Sequence, residues 1–146
     1  MKCLVATSYR QGVGKLYLAE ITALRREFYE FHKQFGSTED LEAPPEKWWG
    51  KDVTFLLFMV DDKPIGYIRF FPPVNKDFYI SSFVITAQER GKGHGREALR
   101  LAKDYFKKRG GTNISIGADV RNQAALGLYK SFGFNSCYLG LRKKVK

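Results

Sequence analysis

The chain has 146 residues and carries 25 lysines and arginines against 15 acidic residues, a formal net charge of +10. Its composition, 44% hydrophobic and 27% charged, excludes a disordered or fibrous protein, and its length fits one domain over residues 1–146. The positive charge favours an anionic partner. Nucleic acid, an acidic protein surface and an anionic cofactor satisfy that inference equally.

The first residues, "MKCLVATSYRQG", become polar after a short apolar run, and no later segment has the length and apolarity of a membrane span. We therefore expect a cytoplasmic protein without membrane partners. Cys3 and Cys137 lie at opposite ends of the sequence, with no C-x-x-C spacing and no histidine cluster near them. We expect neither a disulfide framework nor a metal site.

The first half of the chain predicts one strand, one helix and a β-hairpin. "KCLVATS" alternates weakly, as in a strand, and "ITALRREFYEFHKQF" places apolar residues at steps of three and four, as in a helix. The prolines of "GSTEDLEAPPEKWWG" indicate a loop. "VTFLLFMV" and "IGYIRFF" flank a short turn and predict an antiparallel hairpin.

The second half alternates strands and helices. A helix after residue 93 ends at Gly110 and Gly111, and a second begins after Asn122 as N-cap and ends at Gly133. The predicted strands are "DFYISSFVI", "NISIGADV" and a final "CYLGLR". The order of elements predicts an α/β protein whose sheet has mixed strand directions.

"ERGKGHGREAL" places three glycines on alternate positions among basic residues, directly before the helix. Alternate glycines let a backbone approach a ligand closely, and the first turn of a helix presents unpaired N–H groups at the positive end of its dipole. This combination favours a phosphate ligand, most naturally a pyrophosphate.

Two known phosphate-binding motifs have partial matches in this chain. "GVGKL", at residues 12–16, lacks both the first glycine and the hydroxyl residue of a P-loop, so we interpret it as a turn. Gly93, Gly95 and Ala98 spell the G-x-G-x-x-A of a dinucleotide-binding loop, and Asp119 ends the next strand as a ribose-binding acid does. The linker "TAQERGK" is long for that tight turn, but the alternative stays open.

"FVITAQERGKGHGREAL" resembles the acyl-CoA-binding signature of the GNAT superfamily of N-acetyltransferases, Q/R-x-x-G-x-G/A, with Arg90, Gly93 and Gly95 at its defined positions. "ISIGADVRNQAALGLYKSFGF" resembles the segment that follows in that family, and "VDDKPIGYIRFF" resembles the preceding hairpin. The resemblance runs in one order from about Val53 to Leu139. It implies an α/β GNAT-like fold: a mixed, mostly antiparallel sheet flanked by helices, with a splayed parallel strand pair at the CoA site.

The resemblance also implies acetyl-CoA as co-substrate and no metal. A strand edge would pair with the pantetheine arm, and the glycine loop would bind the pyrophosphate through its backbone N–H groups. The implied acetyl-CoA-binding residues are Phe83, Val84, Ile85, Arg90, Gly91, Lys92, Gly93, His94, Gly95, Arg96, Asn122 and Tyr129.

Tyr129 occupies the family's tyrosine position and is expected to protonate the leaving thiolate, although a core aromatic on an amphipathic helix would look the same. The general base is open. Asp119 is our first candidate, with Glu27 and Glu30 behind it, and for each a solvated carboxylate is the plainer interpretation. His32 and His94 could also act as bases, but a solvated side chain is the plainer interpretation of His32, and His94 lies in the expected pyrophosphate loop.

The acceptor is expected to be a small-molecule amine or a protein amino group bound where aromatic residues concentrate, at Phe28, Phe31, Trp48 and Trp49. Much of that aromatic set must be core. The alternative to an enzyme is a noncatalytic module that binds acyl-CoA or nucleic acid, although no DNA- or RNA-binding motif is visible. We expect a monomer or a homodimer.

Overall fold

The computed structural model describes all residues from 1 to 146 and contains a five-stranded sheet in the order β1-β2-β3-β4-β5. The strands are β1 (Lys2–Ala6), β2 (Thr54–Val60), β3 (Lys63–Phe70), β4 (Asp77–Ile85) and β5 (Asn113–Ile116). The first four run antiparallel, and β5 is parallel to β4. The predicted mixed α/β sheet is confirmed.

Five helices flank this sheet: α1 (Gly12–Leu16), α2 (Leu18–His32), α3 (Pro45–Trp48), α4 (His94–Lys108) and α5 (Gln123–Phe132). None of them has both the length and the apolarity that crossing a bilayer requires. The predicted helix ends are confirmed. Gly110 and Gly133 follow α4 and α5 with positive φ, and the Asn122 side chain accepts the Ala125 N–H at the start of α5.

Helices cover both faces of the sheet, which explains why β2 is apolar without alternation. Leu56 and Phe58 pack in the cluster that contains Leu99 and Phe106 of α4. Their neighbours on β2 point the other way, into a cluster with Ile21 of α2. The protein therefore has three layers, with α4 and α5 on one face of the sheet and α1, α2 and α3 on the other.

A β-bulge in β4 decides how the sheet ends. Phe70 of β3 pairs with Ile80, but the preceding β3 residue, Arg69, pairs with Ser82. Ser81 is therefore an extra residue in β4. A bulge bends its strand and shifts the following side chains to opposite faces. Ser82 therefore faces the α2 layer, whereas a regular strand would have pointed it at α4.

Three local expectations were wrong. The predicted strand over 113–120 ends at Ile116. "GVGKL" forms the short helix α1 instead of a turn; a Cβ at Gly14 would lie 1.8 Å from the Ser8 carbonyl oxygen, so the helix packs closely there. "CYLGLR" forms no strand, because nothing pairs with it and its apolar side chains, including Tyr138 and Leu141, are exposed.

Gly66→Ala is expected to destabilise the fold by about 2 kcal/mol, within the usual range for overpacking. A Cβ at this position would lie 2.3 Å from the Val84 carbonyl oxygen, and backbone cannot turn aside as a side chain can. The control is Gly127→Ala in α5, where no atom lies within 4 Å and helix propensity predicts a gain of about 0.5–1 kcal/mol. Urea unfolding compares the two variants. Equal stabilities would contradict the close packing at Gly66.

Candidate active site

The parallel strands β4 and β5 separate beyond Ile80 and Ile116, the last pair in their register. A cleft of about 510 Å³ opens there. Its walls come from α2, from β4 after the bulge, from the glycine loop with the start of α4, from the residues after β5, and from α5. The splayed strand pair expected from the sequence is confirmed.

The β4 edge facing the cleft offers unpaired backbone groups. Thr86 donates its N–H to a β3 carbonyl at 2.8 Å, so by the alternation of an antiparallel pair Val84 also faces β3, while Phe83 and Ile85 face the cleft. The Ile85 carbonyl accepts the Nε–H of Arg90 at 2.8 Å. The backbone N–H and carbonyl of Phe83 are therefore both unpaired. The expectation that the backbone groups of Val84 are unpaired as well was wrong, because they pair with β3.

The glycine loop brings bare backbone to the mouth of the cleft. Gly91 and Gly93 have φ values of 75° and 82°, and a Cβ at either position would meet no atom within 4 Å. Gly93 is the N-cap of α4 and no side chain caps that helix. The first N–H groups of α4 are therefore free for an anion. Gly95 has a different role, since a Cβ there would lie 3.1 Å from Leu128 of α5.

Tyr129 of α5 lines the cleft opposite β4, and its ring centre lies 6.4 Å from that of Phe83. Burial raises the pKa of its phenol to about 12, and no hydrogen bond contributes to that shift. The hydroxyl therefore stays protonated at neutral pH and is available as a donor.

The Acetyltransferase (GNAT) family model matches residues 18–134, which include the cleft, the glycine loop and Tyr129. The chain belongs to the GNAT family. The resemblance seen in the sequence is confirmed by a match that covers most of the chain.

Individual GNAT relatives are distant. The chain is 30% identical over 116 residues to the mycothiol acetyltransferase of Renibacterium salmoninarum, a match that covers 73% of this chain and 34% of that protein. It therefore spans about a third of that relative's length. A mutant of the BH1408 protein from Bacillus halodurans aligns over both full chains with a TM-score of 0.79 and 20% identity. Aminoglycoside N-acetyltransferase AAC(6')-Iy in complex with CoA aligns over 98% of this chain and 99% of its own with a TM-score of 0.64 and 13% identity. These two structures share the fold.

Glu27 holds the turn between β4 and the glycine loop in place, a role that the sequence did not indicate. Its carboxylate accepts the Thr86 hydroxyl at 2.9 Å and the Ala87 N–H at 2.7 Å, and it lies 3.7 Å from the Arg90 guanidinium. With both oxygens engaged, Glu27 fixes the turn after β4 and is a poor candidate for a base. Only the 59-residue separation of Glu27 and Thr86 hid this contact from the sequence.

The other basic residues in and after the glycine loop mostly form hydrogen bonds or ion pairs with neighbouring protein groups. Arg96 lines the cleft but donates to the carbonyl and hydroxyl of Ser131, joining α4 to α5. His94 also lines the cleft, and its Nε2 lies 3.4 Å from the Glu89 carboxylate. Lys92, expected at the ligand, pairs with Glu89 at 3.2 Å and does not line the cleft. Their charge acts as a field on an anion more than through direct contacts.

Asp119 does not fit the role of general base for which the sequence favoured it. Its carboxylate forms a paired contact with Arg121, with both distances at 2.9 Å, and lies outside the cleft. Hydrogen bonds from Arg121 lower its pKa to about 2, which makes it a weak proton acceptor. Glu30 is also unsuitable, since it pairs with Lys33 on the exposed side of α2.

His32 lines the cleft and, unlike His94, has no carboxylate within salt-bridge distance. Its Nδ1 lies 2.7 Å from the Phe28 carbonyl oxygen, an acceptor, so Nδ1 carries the proton and Nε2 keeps a lone pair when the ring is neutral. The ring stacks on Phe28 with a centroid distance of 4.0 Å. No group of three or more His, Cys, Asp or Glu side chains comes together.

The aromatic residues expected at the acceptor divide into two sets. Phe28 and Phe31 line the cleft beside His32. Trp48 and Trp49 are buried core residues outside it, with their indole N–H groups donated to the carbonyls of Ala43 and Val53. Neither tryptophan lines this cleft, because both pack against β2, so their expected contact with the acceptor stays a prediction.

Proposed function

We propose that this GNAT chain is an N-acetyltransferase that moves the acetyl group of acetyl-CoA to a primary amine by direct attack in a ternary complex. The observation that carries the proposal is the open edge of β4 at Phe83, which lines one cleft together with the uncapped start of α4 and Tyr129. We also propose that residues 1–146 act as one cytoplasmic domain.

The chain's own groups fit acetyl-CoA in three ways. The free N–H groups at Gly93 and the first turn of α4 bind the pyrophosphate, where bare glycines leave room. The Phe83 N–H and carbonyl pair with the amides of the pantetheine arm as an added strand would. The start of α5, capped by Asn122, adds a second positive helix end beside the cleft.

Transfer needs a donor for the developing oxyanion and an acid for the thiolate. The Ile85 N–H faces the cleft and supplies the first. Tyr129 supplies the second. The high pKa of the Tyr129 phenol does not prevent this proton transfer, because the same apolar surroundings also raise the pKa of the CoA thiol that receives the proton. Cys3 shows the size of this effect in the same chain, since burial raises the pKa of its thiol to about 11.

The acceptor must lose a proton before it attacks. An amine with a pKa near 10.4 is neutral in only about one part in a few thousand at pH 7, which costs about 4–5 kcal/mol. The Nε2 of His32, in the cleft beside Phe28 and Phe31, is placed to accept that proton.

His32→Gln is expected to lower kcat/KM at pH 7 by about 10- to 100-fold, and by much less at pH 9.5. The loss shrinks because the neutral fraction of the amine rises about tenfold per pH unit and replaces the work of the base. Steady-state rates at the two pH values measure the ratio. Equal losses at both values would assign His32 a packing role on Phe28.

The proposal is tested by following CoA thiol release from acetyl-CoA with a panel of primary amines, with product mass measured in parallel. We expect release that depends on the amine, with one N-acetyl product per thiol. The exposed Cys137 also reacts with thiol reagents, so the assay uses Cys137→Ser. Binding of acetyl-CoA without transfer to any amine would support the noncatalytic acyl-CoA module instead.

A further inference from the structure

A second cavity of about 170 Å³ lies between the sheet and the α2 layer, next to the cleft. Its lining is mostly polar, with Arg25 of α2, Lys47 of α3 and Arg69 of β3 around it. Ser82 lines both the cavity and the cleft. The β4 bulge at Ser81 is what turns Ser82 toward this side of the sheet.

The cavity carries more positive than negative charge. Its three cationic side chains face a single carboxylate, that of Glu39. Glu39, whose side chain is 42% exposed, lies 2.8 Å from the buried Arg25, and together the two side chains carry no net charge. Two positive charges remain at the cavity without an acidic partner.

Arg69 is the cation with the greatest need of an anion. Its guanidinium donates to the Ser81 hydroxyl at 2.8 Å and to the carbonyls of Trp49 and Trp48 at 3.0 and 3.2 Å, all of them neutral acceptors. It forms no salt bridge, and burial lowers its pKa. A partly buried charge without a counter-ion is costly, and these hydrogen bonds hold it in one orientation beside the cavity.

The remaining polar groups of the cavity also offer donors. The Ser82 Oγ, in a residue that is 4% exposed, makes no hydrogen bond of acceptable geometry, although it lies near the Tyr67 hydroxyl. Burial raises the pKa of Tyr67, so that hydroxyl stays protonated. A buried hydroxyl without a partner, next to a cation without a counter-ion, matches a ligand oxygen that is both an acceptor and negatively charged.

We propose that this cavity binds the carboxylate of the acceptor, so that the substrates are amines carrying a carboxylate within the same small molecule, as amino acids do. The proposal rests on the acetyltransferase function above. Ser82 marks the junction: an acceptor lying across it places its amine in the cleft near His32 and its carboxylate near Arg69. The cavity is small enough to accept a carboxylate and a short chain but not a second large group.

The test compares L-alanine with L-alaninamide and γ-aminobutyrate with its amide, so that in each pair an uncharged amide replaces the carboxylate. Binding is followed by tryptophan fluorescence in the presence of CoA, because one of the chain's two tryptophans, Trp48, lines the cavity. We expect the acid of at least one pair to bind at least tenfold more tightly than its amide. Equal affinities within both pairs would overturn the proposal.

Arg69→Met should reduce that preference to less than twofold. Because Arg69 also holds the carbonyls of Trp48 and Trp49, Lys47→Glu serves as a second variant that leaves those contacts intact, and it should weaken binding of the acids at least fivefold. The matched control is Lys63→Glu, an exposed site with the same charge change at the opposite end of β3 from Arg69. Losses of equal size in Lys47→Glu and Lys63→Glu would overturn the assignment.

Fluorescence and transfer rates separate this proposal from the one on which it rests. Preferential binding of the acids without acetylation of any amine would refute the transferase function and leave the cavity assignment standing. Acetylation of both acids and amides, with the amides bound as tightly as the acids, would refute the cavity assignment and leave the transferase function standing.

Discussion

Gly93→Asp is expected to weaken acetyl-CoA binding at least 100-fold, about 2.7 kcal/mol or more. Gly93 has a φ of 82° and no atom within 4 Å of its missing Cβ, so an aspartate side chain would project into the space proposed for the pyrophosphate. Its carboxylate would repel the phosphates. It would also accept the N–H groups at the start of α4 that the phosphates need.

The control for this variant is Gly110→Asp, at the other end of the same helix. Gly110 has a φ of 79° and open space around its Cβ, so the two variants carry the same charge and a similar backbone strain of about 1–2 kcal/mol. Calorimetric titration with acetyl-CoA should show normal binding in Gly110→Asp and none in Gly93→Asp. Comparable affinities in the two variants would remove the glycine loop from the binding site.

Tyr129→Phe is expected to lower kcat about 100-fold or more while acetyl-CoA affinity changes less than threefold. The variant removes the cleft's phenol and keeps the ring that packs near Phe83 and Phe134. General acid catalysis accounts for factors of about 10² to 10⁴ in rate. Since no hydrogen bond contributes to the Tyr129 pKa, the fold should be as stable as before.

Two measurements separate an acid from a core aromatic at this position. Tyr105→Phe, on α4 outside the cleft, is the matched variant and should leave kcat unchanged. Because burial raises the Tyr129 pKa to about 12, the phenol remains protonated as pH rises, and its ionisation should cause no loss of kcat between pH 7 and 10. Full activity in Tyr129→Phe would assign this side chain to packing.

Local patterns accounted for most of the fold. The three- and four-residue spacing in α4 and the glycine after it located that helix, and the Asn122 cap located α5. The terminal "CYLGLR" shows the limit of the same reasoning. Its composition suits a strand, but a strand also needs a partner, and composition does not say whether one is present.

The site was predictable where the chain itself is continuous. The glycine loop and the start of α4 are adjacent in sequence, so their phosphate-binding geometry could be inferred from the spacing of Gly91, Gly93 and Gly95. The splayed strands followed from the GNAT resemblance. Glu27 could not be recognised as the residue that holds the loop, since its partners are about 60 residues away.

The second cavity was also beyond prediction from sequence. It depends on a bulge that adds Ser81 to β4 and on Arg25, Lys47 and Arg69, which come from three separate elements. The tryptophans illustrate the same difficulty. An aromatic-rich stretch was consistent with either a substrate wall or a core, and only packing against β2 places Trp49, at 2% exposed, in the core.

Calorimetric titration with acetyl-CoA, and separately with NADH and ATP as control ligands, is the most direct test of the claim that the glycine loop binds acetyl-CoA. We expect one acetyl-CoA site per chain with micromolar affinity, and no binding of NADH. Binding of NADH with no response to acetyl-CoA would contradict it, because the G-x-G-x-x-A pattern at Gly93, Gly95 and Ala98 would then mark a dinucleotide site.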